Sequence, residues 1–188
     1  MMARGRRAIY PLGGLLGSAR RPRKTIDKAR LLKIAHDILA VSESDPPPYG
    51  ATYATLGEGR PLSGSHQVAE RFGPWLWNLG REAFGVVCLD ARNRAITQEI
   101  ICEGTRTACP VHPREVFRTA VLHQAISVIL IHSHPSGDPT PSAPDIAMTA
   151  RVKEAGEILG IEVLDHVIVG HRSYRSLADM GLMQGVSR

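Results

Sequence analysis

The apolar run AISVILI, residues 125–131, passes directly into HSHPSGDPTPSAPD, residues 132–145. This junction constrains the chain more than any other stretch. The run is short and rich in β-branched residues, which is the pattern of a strand buried on both faces. Four prolines then exclude helix or continuing strand until about Ala143. In extended backbone, residues i and i+2 project to the same side. His132 and His134 therefore leave the strand end together. A turn needs no paired imidazoles, and a buried core needs neither the aspartate nor so much proline.

The spacing predicts a helix from about Ala143 to Leu159, with Met148, Val152, Ala155 and Leu159 as its apolar stripe and Lys153, Glu154 and Glu157 facing away. At about 100° per residue, Asp145 falls near the edge of that stripe and points inward. Two readings of Asp145 compete. With Ser142 it fits a capping box at a helix N-terminus. It also supplies a third ligand to the two histidines, which capping alone leaves unexplained. A His132–His134–Asp145 set suits one zinc ion, since zinc favours such ligands in a tetrahedral site that keeps one position open. A loop stiffened by proline suits ligands held in fixed geometry.

Hydrolysis at such a centre needs a base to move the proton of an activated water and a donor for the developing oxyanion. Ser142, beside Asp145, is a candidate donor. Glu82, opening the strand-like EAFGVVCLD, reaches the site if that strand lies beside AISVILI; otherwise it is an ordinary strand-end acid. Zincin HExxH is absent, as are the H-x-E and P-C-x-x-C of zinc deaminases.

Around this centre the chain of 188 residues divides by composition. Residues 1–33 hold ten Lys/Arg against one acid, Asp27, a net charge of +9 that leaves the remainder at −4. Residues 1–24 read as a basic arm without apolar periodicity, able to contact nucleic acid or anionic surfaces, or simply solvated. Residues 25–62 read as a helix from Thr25 to Val41 followed by a Pro-rich linker. The compact domain is placed at 63–188. No stretch is apolar enough to span a membrane. The segment AIYPLGGLLG is too broken for a secretory signal, although an Arg-rich, acid-poor leader also resembles a transit peptide. Cys88, Cys102 and Cys109, odd in number and without a CxxC pair, argue against a disulfide framework and fit a reducing cytoplasm.

Within the domain, SGSHQVAERFGPWLWNLG suggests a helix interrupted at Gly73–Pro74. EAFGVVCLDA and AITQEIIC suggest two strands joined by a polar turn. TRTACPVHPREVFRTAVLHQ reads as a loop feeding a helix that starts at Pro113. IEVLDHVIVG and YRSLA read as further strands. Alternating strands and helices predict a layered α/β (α+β) domain. His166 is either a partner behind the site or a packed strand histidine. His112 shapes a loop, Asp138 is a turn residue, and the cysteines act as small apolar side chains.

HSHPSGDPTPSAPD resembles the JAMM signature of MPN+ metalloproteases, and REAFGVVCLD, GTRTACPVHPREVF, HPSGDPTPSAPDIAMT and LGIEVLDHVIVG resemble the RadC-like branch. The resemblance spans about Ser63 to Leu182. It implies a cytidine-deaminase-like mixed, curved sheet flanked by helices. It also implies zinc on His132, His134 and Asp145, Ser142 polarising the scissile carbonyl, and Glu82 as general base. The implied activity is zinc-dependent hydrolysis of a peptide or isopeptide bond, with a protein or peptide as partner and the substrate left open. Two departures stand out. Residues 1–62 show no clear helix-hairpin-helix-like region, and Ser133 stands where RadC-like sequences often carry asparagine. The rival reading is a nucleic-acid-associated accessory factor that binds through the basic arm, its metal site structural or silent.

Overall fold

The computed structural model describes residues 59–104 and 111–183. The basic arm at 1–24 and the helix expected over Thr25–Val41 lie outside the described residues, as does most of the linker. Five strands form one sheet: β1 (Glu82–Leu89), β2 (Ala95–Gly104), β3 (Ser127–Ser133), β4 (Glu162–Val169) and β5 (Tyr174–Ser176). Among the described residues three helices accompany them: α1 (Ser65–Trp77), α2 (Pro113–Leu122) and α3 (Ala143–Leu159). The strand order is β2-β1-β3-β4-β5. Only the β3–β4 pair is parallel. A parallel pair cannot be closed by a tight turn and needs a crossover, which α3 supplies.

All seven residues of β3 are buried, because β3 is central and both its faces are covered. On one side Val68, Phe72 and Leu76 of α1 meet Val87, Ile129, Ile131 and Val167. On the other, Val116 and Phe117 of α2 and Met148, Val152 and Ala155 of α3 meet Phe84, Val86, Val128, Leu130 and Val163. The alternation of Ile129 and Ile131 against Val128 and Leu130 is the period-two pattern of a strand between two layers. Each such side chain contributes about 1.5–3 kcal/mol on full burial. The result is a mixed sheet flanked by helices, the α/β class expected from the sequence. Leu62 is already part of this core: it is buried, and its amide donates to the carbonyl of Asn93 at 2.8 Å.

Two local expectations are corrected. Helix α1 runs without a break through Gly73 and Pro74. Proline removes one helical hydrogen bond, to the carbonyl four residues earlier. Here that residue is Glu70, and both it and Pro74 are exposed, so water can satisfy the freed carbonyl. The second correction concerns the cysteines. Cys88 is free and buried, but Cys102 is disulfide-bonded. An odd count of three still leaves room for one bridge, and a bridge outside a CxxC pair leaves no mark in the sequence. The argument from reduced cysteines to a reducing compartment loses Cys102 as support. Among the described residues, no helix is long and apolar enough to cross a membrane.

Gly156 shows how closely α3 is packed. A Cβ there would lie 2.5 Å from the Ile161 carbonyl oxygen and 3.0 Å from the Phe117 ring. Replacing glycine with alanine inside a helix ordinarily stabilises by about 1 kcal/mol. At this position the sign should reverse. Gly156→Ala should lower unfolding free energy by about 1–3 kcal/mol, the scale of overpacking, in a chemical-denaturation experiment. A gain in stability would mean that α3 sits further from α2 than described.

Candidate metal centre

Three elements converge at one end of the sheet. β3 ends in His132 and Ser133 and delivers His134 just beyond, and the first turn of α3 carries Asp145. β1 begins at Glu82. Phe84 lies opposite His132 in the antiparallel register. Glu82 shares the Phe84 side of β1, and its Oε1 lies 3.2 Å from His132 Nε2. One potential ligand atom from each of His132, His134 and Asp145 falls within 4.8 Å of the others. The five residues singled out in the sequence, Glu82, His132, His134, Ser142 and Asp145, are therefore neighbours. Arg81, Glu82, Gly104, His134, Ser142 and Asp145 help to line an open cleft of about 860 Å³.

Each ring is oriented by its partners. His134 Nδ1 lies 2.8 Å from the carbonyl oxygen of Asp138. A carbonyl only accepts, so Nδ1 must carry the hydrogen. In the neutral ring this leaves the lone pair on Nε2, which stands 3.6 Å from Asp145 Oδ2. The loop that supplies the carbonyl is itself tied down. The His134 amide donates to Val169 O at 3.0 Å, and the His171 amide to Gly137 O at 3.3 Å. A Cβ at Gly170 would collide with that same Gly137 carbonyl, so the close approach requires glycine. Asp138 shapes the turn by accepting from the Thr140 amide and hydroxyl at 2.9 and 2.7 Å.

Asp145 caps the helix and also lies within reach of both histidines, so the two readings that competed in the sequence are compatible. It completes a capping box with Ser142. Its Oδ2 accepts from the Ser142 amide at 2.8 Å and from the Ser142 hydroxyl at 2.6 Å. Its Oδ1 faces His132 Nδ1 at 3.3 Å. Burial opposes the charge on Asp145. The side chains of His132, His134 and Ser142 and the Ser142 amide outweigh it, and hold the carboxyl far below the usual carboxylate range. Conversely, Asp145 raises the pKa of His134 against the opposing effect of burial, with the Asp138 carbonyl adding to the rise. His132 Nδ1 is buried, and its 3.3 Å contact with Asp145 Oδ1 falls short of a well-aligned hydrogen bond. A buried nitrogen so weakly paired is costly. Its place in a nitrogen–nitrogen–carboxylate set beside an open cleft fits a metal ion as the missing partner.

Two supports were not singled out in the sequence as serving the site. Ser133 turns to the other face of β3 and is buried, accepting from the Ala83 amide at 3.1 Å and donating to Arg81 O at 3.2 Å. These bonds hold the backbone on both sides of Glu82. The only sequence signal for this was its position between the two histidines. Thr149 is the second. It lies four residues after Asp145 on α3, and its hydroxyl donates to Asp145 O at 2.7 Å. The same hydroxyl lies 2.7 Å from His166 Nδ1. His166 is fully buried, its ring centroid 6.0 Å from that of His132 and nearly parallel to it. Burial first, and then the neighbouring His132, push its pKa down to about 3, so the ring is neutral. Among the other histidines, His112 caps α2 by accepting from the Arg114 amide at 3.2 Å. His66 and His171 lie on the α1 side, near Tyr174 and Trp77. His36 lies outside the described residues.

A mixed sheet between helices, with two histidines leaving its central strand toward a helix-capping aspartate, defines the JAB/MPN class of domain. Comparison with known proteins agrees. The RadC-like JAB domain family matches residues 62–182. Similar proteins include a UPF0758 protein of Symbiobacterium thermophilum, 48% identical over 124 residues that make up 66% of this chain and 53% of that protein. A UPF0758 protein of Syntrophomonas wolfei is 54% identical over 103 residues, 55% of this chain and 44% of that protein. One from Methanosarcina barkeri is 47% identical over 104 residues, 55% and 45% of the respective chains. The chain belongs to the RadC-like JAB domain family. It spans about half the length of the curated relatives it matches.

The coupling of Asp145 to His134 has a pH signature in metal-free protein. A histidine whose folded pKa is raised contributes stability that is fully present below its unfolded value, about 6.5. That contribution is lost as pH rises through the folded value. Asp145→Asn removes the main cause of the rise. With chelator present, Asp145→Asn should therefore lower the melting temperature more at pH 5.5 than at pH 9. Equal losses at both pH values would show that Asp145 acts on stability only as a helix cap.

Proposed function

We propose that the chain is a zinc-dependent metallopeptidase or isopeptidase of the JAMM (MPN+) type, acting on a protein or peptide substrate. The observation that carries this reading is the convergence of His132, His134 and Asp145 with a carboxylate that is not one of the three, Glu82, 3.2 Å from His132. Two imidazoles and a carboxylate match the donor preference of zinc, and three protein ligands are the number a catalytic zinc site employs. When bound, zinc supplies Lewis acidity that polarises an amide carbonyl and makes water easier to deprotonate.

The chain's own residues supply the rest. Glu82, at the mouth of the cleft, accepts a proton from the attacking water on its carboxylate and returns it to the departing amine, so one group acts first as base and then as acid. Its backbone is fixed by the bonds of Ser133 to the residues on either side, which suits a group that must meet water at a set distance. The Ser142 hydroxyl, exposed at the cleft, has one hydrogen, now given to Asp145. It must turn that hydrogen toward the carbonyl oxygen to stabilise the oxyanion, so its contribution is made in the transition state rather than in the resting site.

Glu82→Gln separates base from ligand, because it keeps size and shape but accepts no proton. The test screens peptide and isopeptide-linked substrates with zinc-loaded protein beside a chelated control, and measures zinc content of each variant. Glu82→Gln should retain zinc and melting temperature, and lose turnover by on the order of a hundredfold or more. Loss of zinc together with activity would make Glu82 a structural acid. Undiminished turnover would remove it from the reaction. Absence of metal-dependent cleavage, with salt-sensitive DNA binding that disappears on deleting residues 1–33, would favour a nucleic-acid-associated role instead.

A further inference from the structure

We infer that Thr149 and His166 form a positioning pair that sets the Asp145 carboxylate and the His132 ring for metal binding; this rests on the reading of His132, His134 and Asp145 as ligands. A hydroxyl has one hydrogen to give. Thr149 Oγ1 lies 2.7 Å from Asp145 O, which can only accept, and 2.7 Å from His166 Nδ1. Thr149 must therefore donate to Asp145 O, and His166 must donate from Nδ1 to Thr149. The direction of the chain is fixed: His166 Nδ1–H to Thr149, and Thr149 O–H to Asp145 O. It fastens the first turn of α3, which carries Asp145, to β4, the parallel neighbour of the strand that carries His132.

The same ring reaches the second ligand by packing. His166 lies 6.0 Å from His132, with their planes 14° apart. Phe84 closes the cage at 5.5 Å from His166 and 5.9 Å from His132. His166 Nε2 is buried without a partner. A phenylalanine or leucine would fill this position without leaving a polar atom unpaired, so packing alone does not explain an imidazole here. What the imidazole adds is the Nδ1–H donor, aimed at α3. Groups that orient metal ligands from behind typically alter metal affinity by about 10–100-fold when removed.

The test uses substitutions that keep or remove that one donor. Asparagine carries its amide nitrogen on Cγ, as histidine carries Nδ1; the glutamine amide lies one bond further out. Zinc dissociation constants are measured by competition with a chelating dye for the full chain and for His166→Asn, His166→Gln, Thr149→Ser and Thr149→Val. Thr149→Val and His166→Gln should weaken zinc binding by about 10–100-fold. Thr149→Ser should bind within about threefold of the parent chain, and His166→Asn, which keeps the donor but loses the ring packed on His132, should bind more tightly than His166→Gln. A metal-free arm follows hydrogen exchange of the amides in the first turns of α3. Exchange should quicken in Thr149→Val and His166→Gln and hold in Thr149→Ser and His166→Asn. Equal zinc affinity across all four variants, or weakening that follows side-chain volume rather than the donor, would overturn the proposal. A parent chain that fails to bind zinc would overturn the ligand assignment itself. In that case unchanged exchange in every variant would overturn the pairing of Thr149 with α3 as well, whereas donor-dependent exchange would keep it as a helix anchor only.

Discussion

The site depends on the Asp145 carboxylate serving two sets of partners at once. Oδ2 takes the Ser142 amide and hydroxyl, which starts α3 and fixes where its axis points. Oδ1 faces His132, and His134 lies beyond Oδ2. A helix cap is a local, geometrically strict interaction. By tying the third donor to the cap, the fold places the carboxylate with the precision of a helix start instead of a free side chain. The cost is a carboxylate and two imidazoles brought together at the buried rim of a sheet, where each is stable only because of the others.

The sheet supplies the complementary constraint. β3 is paired on both sides and buried on both faces, so His132 and His134 cannot shift without disturbing backbone hydrogen bonds to its neighbouring strands. Antiparallel pairing with β1 brings Glu82 to His132. Parallel pairing with β4 requires a crossover, and the crossover is the helix that carries Asp145. The candidate metal site and the topology thus share a cause: the central strand meets its β1 partner and its crossover helix at one end.

Much of this was legible in the residues. HxH at the end of a β-branched run, a proline-stiffened loop and Ser142-x-x-Asp145 before a periodic stripe each carry a local physical meaning; the helix from Ala143 to Leu159 follows from that stripe, and the strands follow from short apolar runs bounded by turn residues. What was hidden depended on contacts made across the fold. Thr149 carried no signal of its own in the sequence, and its bond to His166 joins residues 17 apart on different elements. Ser133 was read only as a departure from the asparagine common in RadC-like sequences. The continuation of α1 through Pro74 was missed because the lost hydrogen bond falls on the exposed face, where it costs little. The Cys102 bridge was missed because, without a CxxC pair, cysteine spacing carries no disulfide signal.

Metal stoichiometry tests the proposed His132–His134–Asp145 centre most directly. Protein purified without chelator should contain about one zinc per chain by elemental analysis, as a mononuclear site implies, and the double substitution His132→Ala/His134→Ala should contain almost none. Full zinc in the double variant would contradict the account.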